Sequence, residues 1–171
     1  MFSNPVIRLI AAILVLAAAV VFGLANQWVP MTVSLVIGGI LVLMHFRLGP
    51  VMMALRYLYQ GNIAKTEFYL NKVKDPDKLP ASHRGYYHFC KGYLTMQQNR
   101  RDEAKAHFEK ALDGGLRLGN DKAVAHVSLA QLYGQDRNRK EAKRHLEKAE
   151  TFKYNKAVAQ AIEQVKKQLS L

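Results

Sequence analysis

The sequence predicts an all-α protein in which a hairpin of two apolar helices precedes an α-solenoid of short helix pairs. Residues 1–46 form two long apolar runs with a single charged side chain, Arg8. Beyond them, the segment at 100–112 reappears at 138–150 with eight of thirteen positions identical, and such internal repetition is typical of stacked helical repeats. No segment has the alternation of β-branched residues that would indicate strands.

The first element is a predicted transmembrane helical hairpin at residues 1–47. Its spans, at about 6–25 and 28–46, are each close to the ~20 residues that a helix needs to cross a bilayer. Neither run has the polar face of an amphipathic core helix, which argues against buried helices of a soluble core. A cleaved signal peptide ending at 23–25 is an alternative, but the second run would still anchor the product.

The cations around the hairpin predict its orientation. Arg8 precedes the first span, and Arg47 and Arg56 follow the second, whereas the turn at 26–30 has no Lys or Arg. Cytoplasmic loops carry the excess of Lys and Arg in membrane proteins. We therefore expect an integral protein of a bacterial inner (plasma) membrane with its repeat domain in the cytoplasm.

Residues 48–171 are predicted to form a domain of amphipathic helices separated by turns rich in Gly, Asn, Asp and Pro. Gly49 and Pro50 are expected to end the second span. The predicted helices lie at about 50–59, 62–74, 81–97, 100–113, 120–134, 138–151 and 155–169. They group into repeats at about 48–80, 81–118 and 119–154, followed by a capping helix at 155–169.

Small and large residues recur in this domain at steps of 38. The series are Ala54/Gly92/Ala130 in the first helices and Thr66/Ala104/Ala142, Leu70/Phe108/Leu146 and Val73/Ala111/Ala149 in the second helices. This pattern resembles the tetratricopeptide repeat (TPR) family, in which small residues lie where paired helices cross. The usual TPR period is 34, so the resemblance implies longer loops here. An unrelated helical bundle is the alternative.

The resemblance implies that the inner surface of successive first helices binds extended or helical peptides. Its inward positions in the second and third repeats give six candidate partner-binding residues: Tyr86, Phe89, Tyr93, Val124, Val127 and Gln131. The inward residues of the first repeat are Val51, Leu55 and Leu58. Because this surface is apolar and aromatic, we expect it to bind an apolar or amphipathic segment. Burial of the same side chains within the fold is the competing interpretation.

The second helices also repeat their cations. Residues 47–171 carry 24 Lys and Arg against 13 Asp and Glu, and stacked repeats would align the cations into a basic stripe: Lys72, Arg101, Lys105, Lys110, Arg139, Lys143 and Lys148. Such a stripe could contact anionic lipid, an acidic protein or RNA. A solvated helix face is the simpler explanation for each single cation. Nucleic acid is disfavoured because the aromatic residues fall on the inward helices.

We predict no catalytic, metal or cofactor site. The sequence lacks a Gly-rich phosphate loop, a nucleophile elbow and a paired metal-ligand motif. The histidine pairs His88/His126 and His107/His145 are repeat-equivalent, so they should lie on separate helices and not converge on a metal. Cys90 has no second cysteine for a disulfide and is expected to be a small buried side chain.

The sequence therefore predicts a membrane-anchored scaffold or adaptor and not an enzyme. The hairpin would fix its location, and the first-helix surface would bind a protein partner, either a peptide or a helix. Two alternatives stay open at this point. One is a basic membrane-surface module that binds anionic lipid or RNA, and the other is a structural or assembly subunit of a larger membrane complex.

Overall fold

The computed structural model describes residues 5–169, apart from the side chains of residues 5–9 and 43–48. All regular structure among these residues is helical, with no strand, which confirms the all-α prediction. The helices are α1 (Pro5–Leu24), α2 (Trp28–Tyr59), α3 (Ile63–Leu70), α4 (Ala81–Gln97), α5 (Arg101–Asp113), α6 (Gly119–Gln135), α7 (Arg139–Glu150) and α8 (Lys156–Leu169), with a 3₁₀ turn at Pro76–Lys78.

The chain divides into two compact units, Met1–Met53 and Ala54–Leu171, and the boundary falls within α2. Gly49 and Pro50 were expected to end the second apolar helix, but α2 continues through Pro50 to Tyr59. That prediction was wrong. An internal proline lacks one backbone hydrogen bond and its ring crowds the carbonyl four residues earlier, but the other hydrogen bonds of this 32-residue helix carry it past Pro50.

In the first unit, α1 and α2 pack through small residues. Ala12 and Ala19 of α1 are 1% and 2% exposed. A methyl group built on Gly38 of α2 would lie only 2.6 Å from a methyl carbon of Leu16, so the helices are in close contact at this point. The large apolar side chains lie on the outside instead: Ile10, Ile13, Leu14, Val20, Val21, Leu24, Trp28, Val29, Val33, Leu35, Val36, Ile37 and Ile40.

Within the part of the chain that the structure describes, no helix combines the length and the apolarity needed to cross a membrane. The side chains of Arg8 and Arg47, on which the predicted orientation depends, lie outside the described residues.

The second unit is built from antiparallel helix pairs. Gly92 lies against Phe108, and Gly85, seven residues earlier, lies against Gly114, so α4 and α5 run in opposite directions. α6 and α7 form the next pair, and α8 packs against α6. Residues 54–59 of α2 and helix α3 begin the series, since the Thr66 hydroxyl donates a 3.4 Å hydrogen bond to the Ala54 carbonyl.

The 38-residue repeat of the sequence is also a repeat of backbone geometry. Gly61, Asn99 and Arg137 each follow a first helix with a positive φ, of 72°, 58° and 58°. One residue later, each backbone N–H donates a 2.9 Å hydrogen bond to the carbonyl five residues earlier: Asn62 to Tyr57, Arg100 to Thr95 and Asn138 to Tyr133. This is a helix-ending Schellman turn, so all three helix pairs reverse direction in the same way.

The small and large residues that the sequence places at helix crossings are buried. They are Ala54, Gly92, Ala130, Thr66, Ala104, Ala142, Leu70, Phe108, Leu146, Ala111 and Ala149. Val73 departs from the pattern because α3 ends at Leu70, earlier than predicted, and leaves Val73 half-buried in the following turn. The segment from 71 to 75 is otherwise polar, so it offers little apolar surface to hold a further helical turn.

Candidate functional site

A groove of about 400 Å³ opens between the end of α2 and the C-terminal half of α4. Its walls are almost free of charge, and we call it the aromatic groove. It is lined by Leu58, Tyr59, Gly61, Ile63, Phe89, Tyr93 and Gln97. Concave, mostly apolar surfaces with a few polar groups are the usual form of a binding site.

The α4 wall of the groove is fixed by packing among three aromatic rings. Phe89 and Tyr93 meet edge to face with ring centroids 5.2 Å apart, and Phe108 of α5 lies 5.4 Å from Tyr93 in a similar arrangement. Phe108 needs the space that Gly92 leaves, because a methyl group on Gly92 would lie 3.0 Å from its ring. The groove surface is therefore rigid and preformed on this side.

A buried carboxylate ties the groove to the third repeat. Asp121 of α6 is only 2% exposed. It accepts a 2.6 Å hydrogen bond from the Tyr59 hydroxyl and a 2.9 Å hydrogen bond from the Tyr86 hydroxyl. Three successive first helices are thus joined at one side chain. Satisfying both carboxylate oxygens is what makes burial of this group tolerable.

The tyrosines of this cluster are held in their protonated form. The Tyr59 side chain is 56% exposed, but desolvation of its hydroxyl, followed by the hydrogen bond to Asp121, raises its pKa well above the ordinary range. Burial and the same acceptor raise the pKa of Tyr86 to about 12. Burial also raises the pKa of Tyr93. All three hydroxyls therefore remain donors throughout the physiological range.

The predicted partner-binding residues divide into two groups in the structure. Phe89 and Tyr93 line the aromatic groove, but the Phe89 side chain is fully buried and forms its floor. Tyr86 is buried against Asp121. For Tyr86, Phe89 and Val127 the structure agrees with the competing interpretation, burial within the fold, because neighbouring repeats and α8 cover these side chains.

The inward residues of the third repeat are covered by α8. Val127 lies in one core cluster with Val158, Ile162 and Val165, and Val124 packs against the same cluster. Gln131 is half-buried beside α8. A smaller cavity of about 160 Å³ remains there, which we call the terminal groove: Ala130, Gln131, Gly134, Gln135, Val165, Gln168 and Leu169.

Sequence reasoning missed five residues of the site: Tyr59, Gly61, Ile63 and Gln97 in the aromatic groove and Asp121 beside it. Part of the signal was available. Tyr59 and Gln97 each lie four residues, about one helical turn, after an inward position, Leu55 and Tyr93. The Tyr59–Asp121 contact had no such signal, because its partners are 62 residues apart and neither recurs at the 38-residue step.

The predicted basic stripe is divided by ion pairing. Lys105 lies 2.7 Å from both Asp102 and Asp136, and Arg101 lies 3.5 Å from Asp136. Hydrogen bonds from Lys105 hold the pKa of the Asp136 carboxyl below its usual value. Lys72 lies over the Phe68 ring, 4.3 Å from its centroid.

The remaining stripe cations are not neutralised in this way. Arg139, Lys143 and Lys148 on α7 are exposed and form no ion pair with the residues that the structure describes. Lys110 lines a separate pocket at the other end of α5.

Four histidines form one pair in the second repeat and one pair in the third, an arrangement that the sequence did not predict. The Nδ1 atoms of His88 and His107 are 3.1 Å apart, and those of His126 and His145 are 3.0 Å apart. Within the described part of the chain, no three potential ligand side chains converge on a metal position. Burial lowers the pKa of His88 and His126 to about 4, with their histidine partners as the second cause.

Cys90 is fully buried in the core beside Leu94. Burial raises the pKa of its thiol, which keeps it a protonated packing residue.

No protein-family model matches the chain, and comparisons with curated proteins and with solved structures also find no match.

Proposed function

We propose that this protein is a membrane-anchored scaffold whose repeat unit binds an apolar segment of a partner protein in the aromatic groove. The observation that carries the proposal is the groove itself, about 400 Å³ in volume and walled by Leu58, Tyr59, Ile63, Phe89 and Tyr93. An amphipathic helix or extended peptide presents apolar side chains of the size that such a groove accepts.

The first unit supports a membrane anchor through its inverted pattern of side chains. Small residues such as Ala12, Ala19 and Gly38 lie at the helix contact, and large apolar residues face outward. Helices that pack within lipid have small residues at their contacts and large apolar ones outside. Together with the apolar runs 6–25 and 28–46, this pattern favours a transmembrane hairpin. The proposed orientation, with the repeats in the cytoplasm, depends on the positions of Arg8, Arg47 and Arg56 in the sequence.

The repeated geometry of the second unit supports the TPR resemblance. Three helix pairs with the same Schellman turn, buried small residues at their crossings and a final unpaired helix α8 are what a short TPR-like array requires. The proposed scaffold function is therefore consistent with protein binding on the first-helix side.

The test of this proposal compares two charge substitutions on α3. Ile63→Glu places a carboxylate in the aromatic groove, whereas Phe68→Glu changes an exposed apolar residue of the same helix outside it. Each full-length variant is purified from membranes in mild detergent after cross-linking. We expect the amount of co-purifying partner to fall at least about tenfold with Ile63→Glu and to stay unchanged with Phe68→Glu. Equal retention by both variants would show that the groove is not the binding site.

The membrane anchor is tested separately by extraction of membranes with alkaline carbonate. An integral hairpin keeps the full chain in the pellet, and protease added to inverted membrane vesicles should digest the repeat unit. Release of the chain by carbonate would contradict the anchor.

A second candidate function is binding of anionic lipid by α7. It is favoured by the exposed Arg139, Lys143 and Lys148, which lack ion pairs among the described residues, while the equivalent Arg101 and Lys105 are paired. Each such cation near an anionic surface contributes about 1 kcal/mol. Changing all three to Gln should abolish binding to anionic vesicles. Changing Arg101 and Lys105 to Gln should leave that binding intact.

A further inference from the structure

A second cavity, distinct from the aromatic groove, lies between the start of α4 and the end of α5. Its volume is about 260 Å³, and we call it the charged pocket. It is lined by Asp77, Arg84, His88, Lys110, Asp113 and Gly114. None of these residues was part of the proposed partner-binding surface.

The third repeat shows what occupies the equivalent space. Thirty-eight residues after Gly114 is Phe152, whose ring stacks on His126 with centroids 5.8 Å apart and planes at 13°. The Lys122 ammonium lies 5.6 Å from the centroid of the same ring. His126 and Lys122 correspond to His88 and Arg84 of the charged pocket. The third repeat therefore fills this position with an aromatic ring of its own.

The second repeat keeps the surroundings of that ring but cannot supply the ring. Gly114 has no side chain, and a methyl group built on it would lie 2.9 Å from the Gly85 Cα and 2.8 Å from the Lys110 carbonyl oxygen. The backbones of α4 and α5 are too close here for any larger residue. Because position 114 carries no side chain, the chain supplies no ring at the position beside His88 that Phe152 fills beside His126.

The rim of the pocket carries charges of both signs. Arg84 and Lys110 supply two cations, and Asp77 and Asp113 supply two carboxylates. Arg84 donates a 3.3 Å hydrogen bond to the Asp77 backbone carbonyl, and the ion pairs found among the described residues include none of these four side chains. A ligand with one positive and one negative group would pair with both sets.

We propose that the charged pocket binds a small zwitterionic ligand with one aromatic ring, the class to which free aromatic amino acids belong. The ring would stack on His88, as Phe152 stacks on His126. The ligand carboxylate would face Arg84 and Lys110, and its ammonium group would face Asp77 and Asp113. The volume suits a single ring, because sites for larger, drug-sized ligands begin at about 300 Å³. This proposal does not depend on the function proposed for the aromatic groove.

The experiment measures binding of L-phenylalanine to the full-length protein in detergent, by calorimetry and ligand-observed NMR. We expect a Kd on the order of 1 mM, as for a ligand of this size in a shallow site. L-Alanine, which lacks the ring, and benzyl alcohol, which lacks the charges, should each bind at least about tenfold more weakly. No binding of L-phenylalanine up to about 10 mM would overturn the proposal. Equal binding of L-alanine would overturn the role of the ring.

Two substitutions at the rim test whether L-phenylalanine binds in the charged pocket or elsewhere on the protein. Arg84→Gln and Asp113→Asn should each weaken the binding of L-phenylalanine about fivefold to tenfold. Arg139→Gln, which changes an exposed cation elsewhere, should leave this binding unchanged. Asp113 is exposed, so its variant keeps the fold and remains informative if Arg84→Gln does not. Unchanged affinity in Asp113→Asn and Arg84→Gln would assign the binding to another part of the molecule.

Discussion

The aromatic groove and the terminal groove occupy equivalent positions two repeats apart, yet one is open and the other is nearly filled. Phe89 and Tyr93 in the first correspond to Val165 and Leu169 in the second. The volumes are about 400 and 160 Å³. The side chains at these equivalent positions differ, and α8 packs closely on α6 at the terminal groove.

The decisive position is the one occupied by Leu58 in the aromatic groove and by Gly134 in the terminal groove. A methyl group on Gly134 would lie 2.7 Å from a methyl carbon of Leu169, so α8 comes directly onto the α6 backbone. In the aromatic groove a leucine lies at that position, and the groove between the two helices is open. Gly134 therefore allows α8 to close the terminal groove, and Leu58 lies at the equivalent position of the open aromatic groove.

Lowering the pH tests the second and third repeats together, because each contains a buried histidine pair and should lose stability in acid. The pKa of His88 and of His126 is lowered to about 4, so the unfolded state, with a pKa near 6.5, binds more protons between these values. Stability should be full above pH 6.5 and fall as pH drops toward 4. The expected loss is on the order of 2 kcal/mol for each pair at pH 4.5.

The measurement is the thermal midpoint from pH 7.5 to 4.5. His88→Gln and His126→Gln should each remove about half of the pH dependence, because each variant removes one of the two pairs. Glutamine is chosen because Gln164 is the equivalent residue of α8. The neighbouring charges are Lys110, Arg84 and Asp77 at the first pair and Lys148, Arg144 and Glu141 at the second. A midpoint that is flat with pH would contradict the buried neutral pairs.

Replacing Gly134 with leucine would make the terminal groove resemble the aromatic groove. The new side chain must displace Leu169, and we expect a loss of about 2 to 3 kcal/mol in the free energy of unfolding. Denaturation followed by circular dichroism gives the value. Gly39→Leu is the control, because a side chain there meets nothing within 4 Å. Adding Leu169→Ala to Gly134→Leu should recover part of the loss.

Two substitutions replace Gly92 and Phe108, which support the aromatic groove, with the residues found at the equivalent positions of the third repeat. Gly92→Ala brings a methyl group to 3.0 Å from the Phe108 ring and should cost about 1 to 2 kcal/mol. Phe108→Leu alone should cost about as much by leaving a cavity. The double variant reproduces the pairing of Ala130 with Leu146, so a double-mutant cycle should show favourable coupling. Simple additivity would mean that the two positions do not fit each other as described.

The smallest expected effect lies in the turns beside the grooves. Arg137 holds a φ of 58° where the first repeat has Gly61. Glycine adopts this conformation without the steric cost that arginine bears. Arg137→Gly should therefore stabilise the protein, by roughly 0.5 to 1 kcal/mol, whereas Asp136→Gly, at a residue with negative φ, should not. A loss of stability in Arg137→Gly would show that the arginine side chain makes a larger contribution than its backbone strain.

Much of the helical fold could be predicted because it depends on local rules repeated three times. The helix boundaries of α4 to α8 and the buried small residues follow from apolar spacing and turn residues. The continuation of α2 past Pro50 could not be predicted, since it depends on how one missing hydrogen bond is balanced along a long helix. Local signals favoured a break at that position.

The site was less predictable than the fold. The inward position of Tyr93 follows from helical spacing, but the accessibility of each inward residue depends on what covers it. Val127 has the spacing of a groove residue and is covered by α8. The histidine pairs join residues 19 apart, half of a repeat, and this offset is set by the crossing of the two helices and not by the repeat period.

The most direct measurement uses one photoreactive residue placed, in turn, at two glutamines, one in each groove. Gln97 lines the aromatic groove, and Gln135, 38 residues later, lines the terminal groove. Both variants of the full-length chain are irradiated in intact cells, and protein adducts are compared. A discrete adduct from position 97 and none from position 135 is the predicted result. Adducts of equal yield from both positions, or from 135 alone, would contradict the assignment of binding to the aromatic groove.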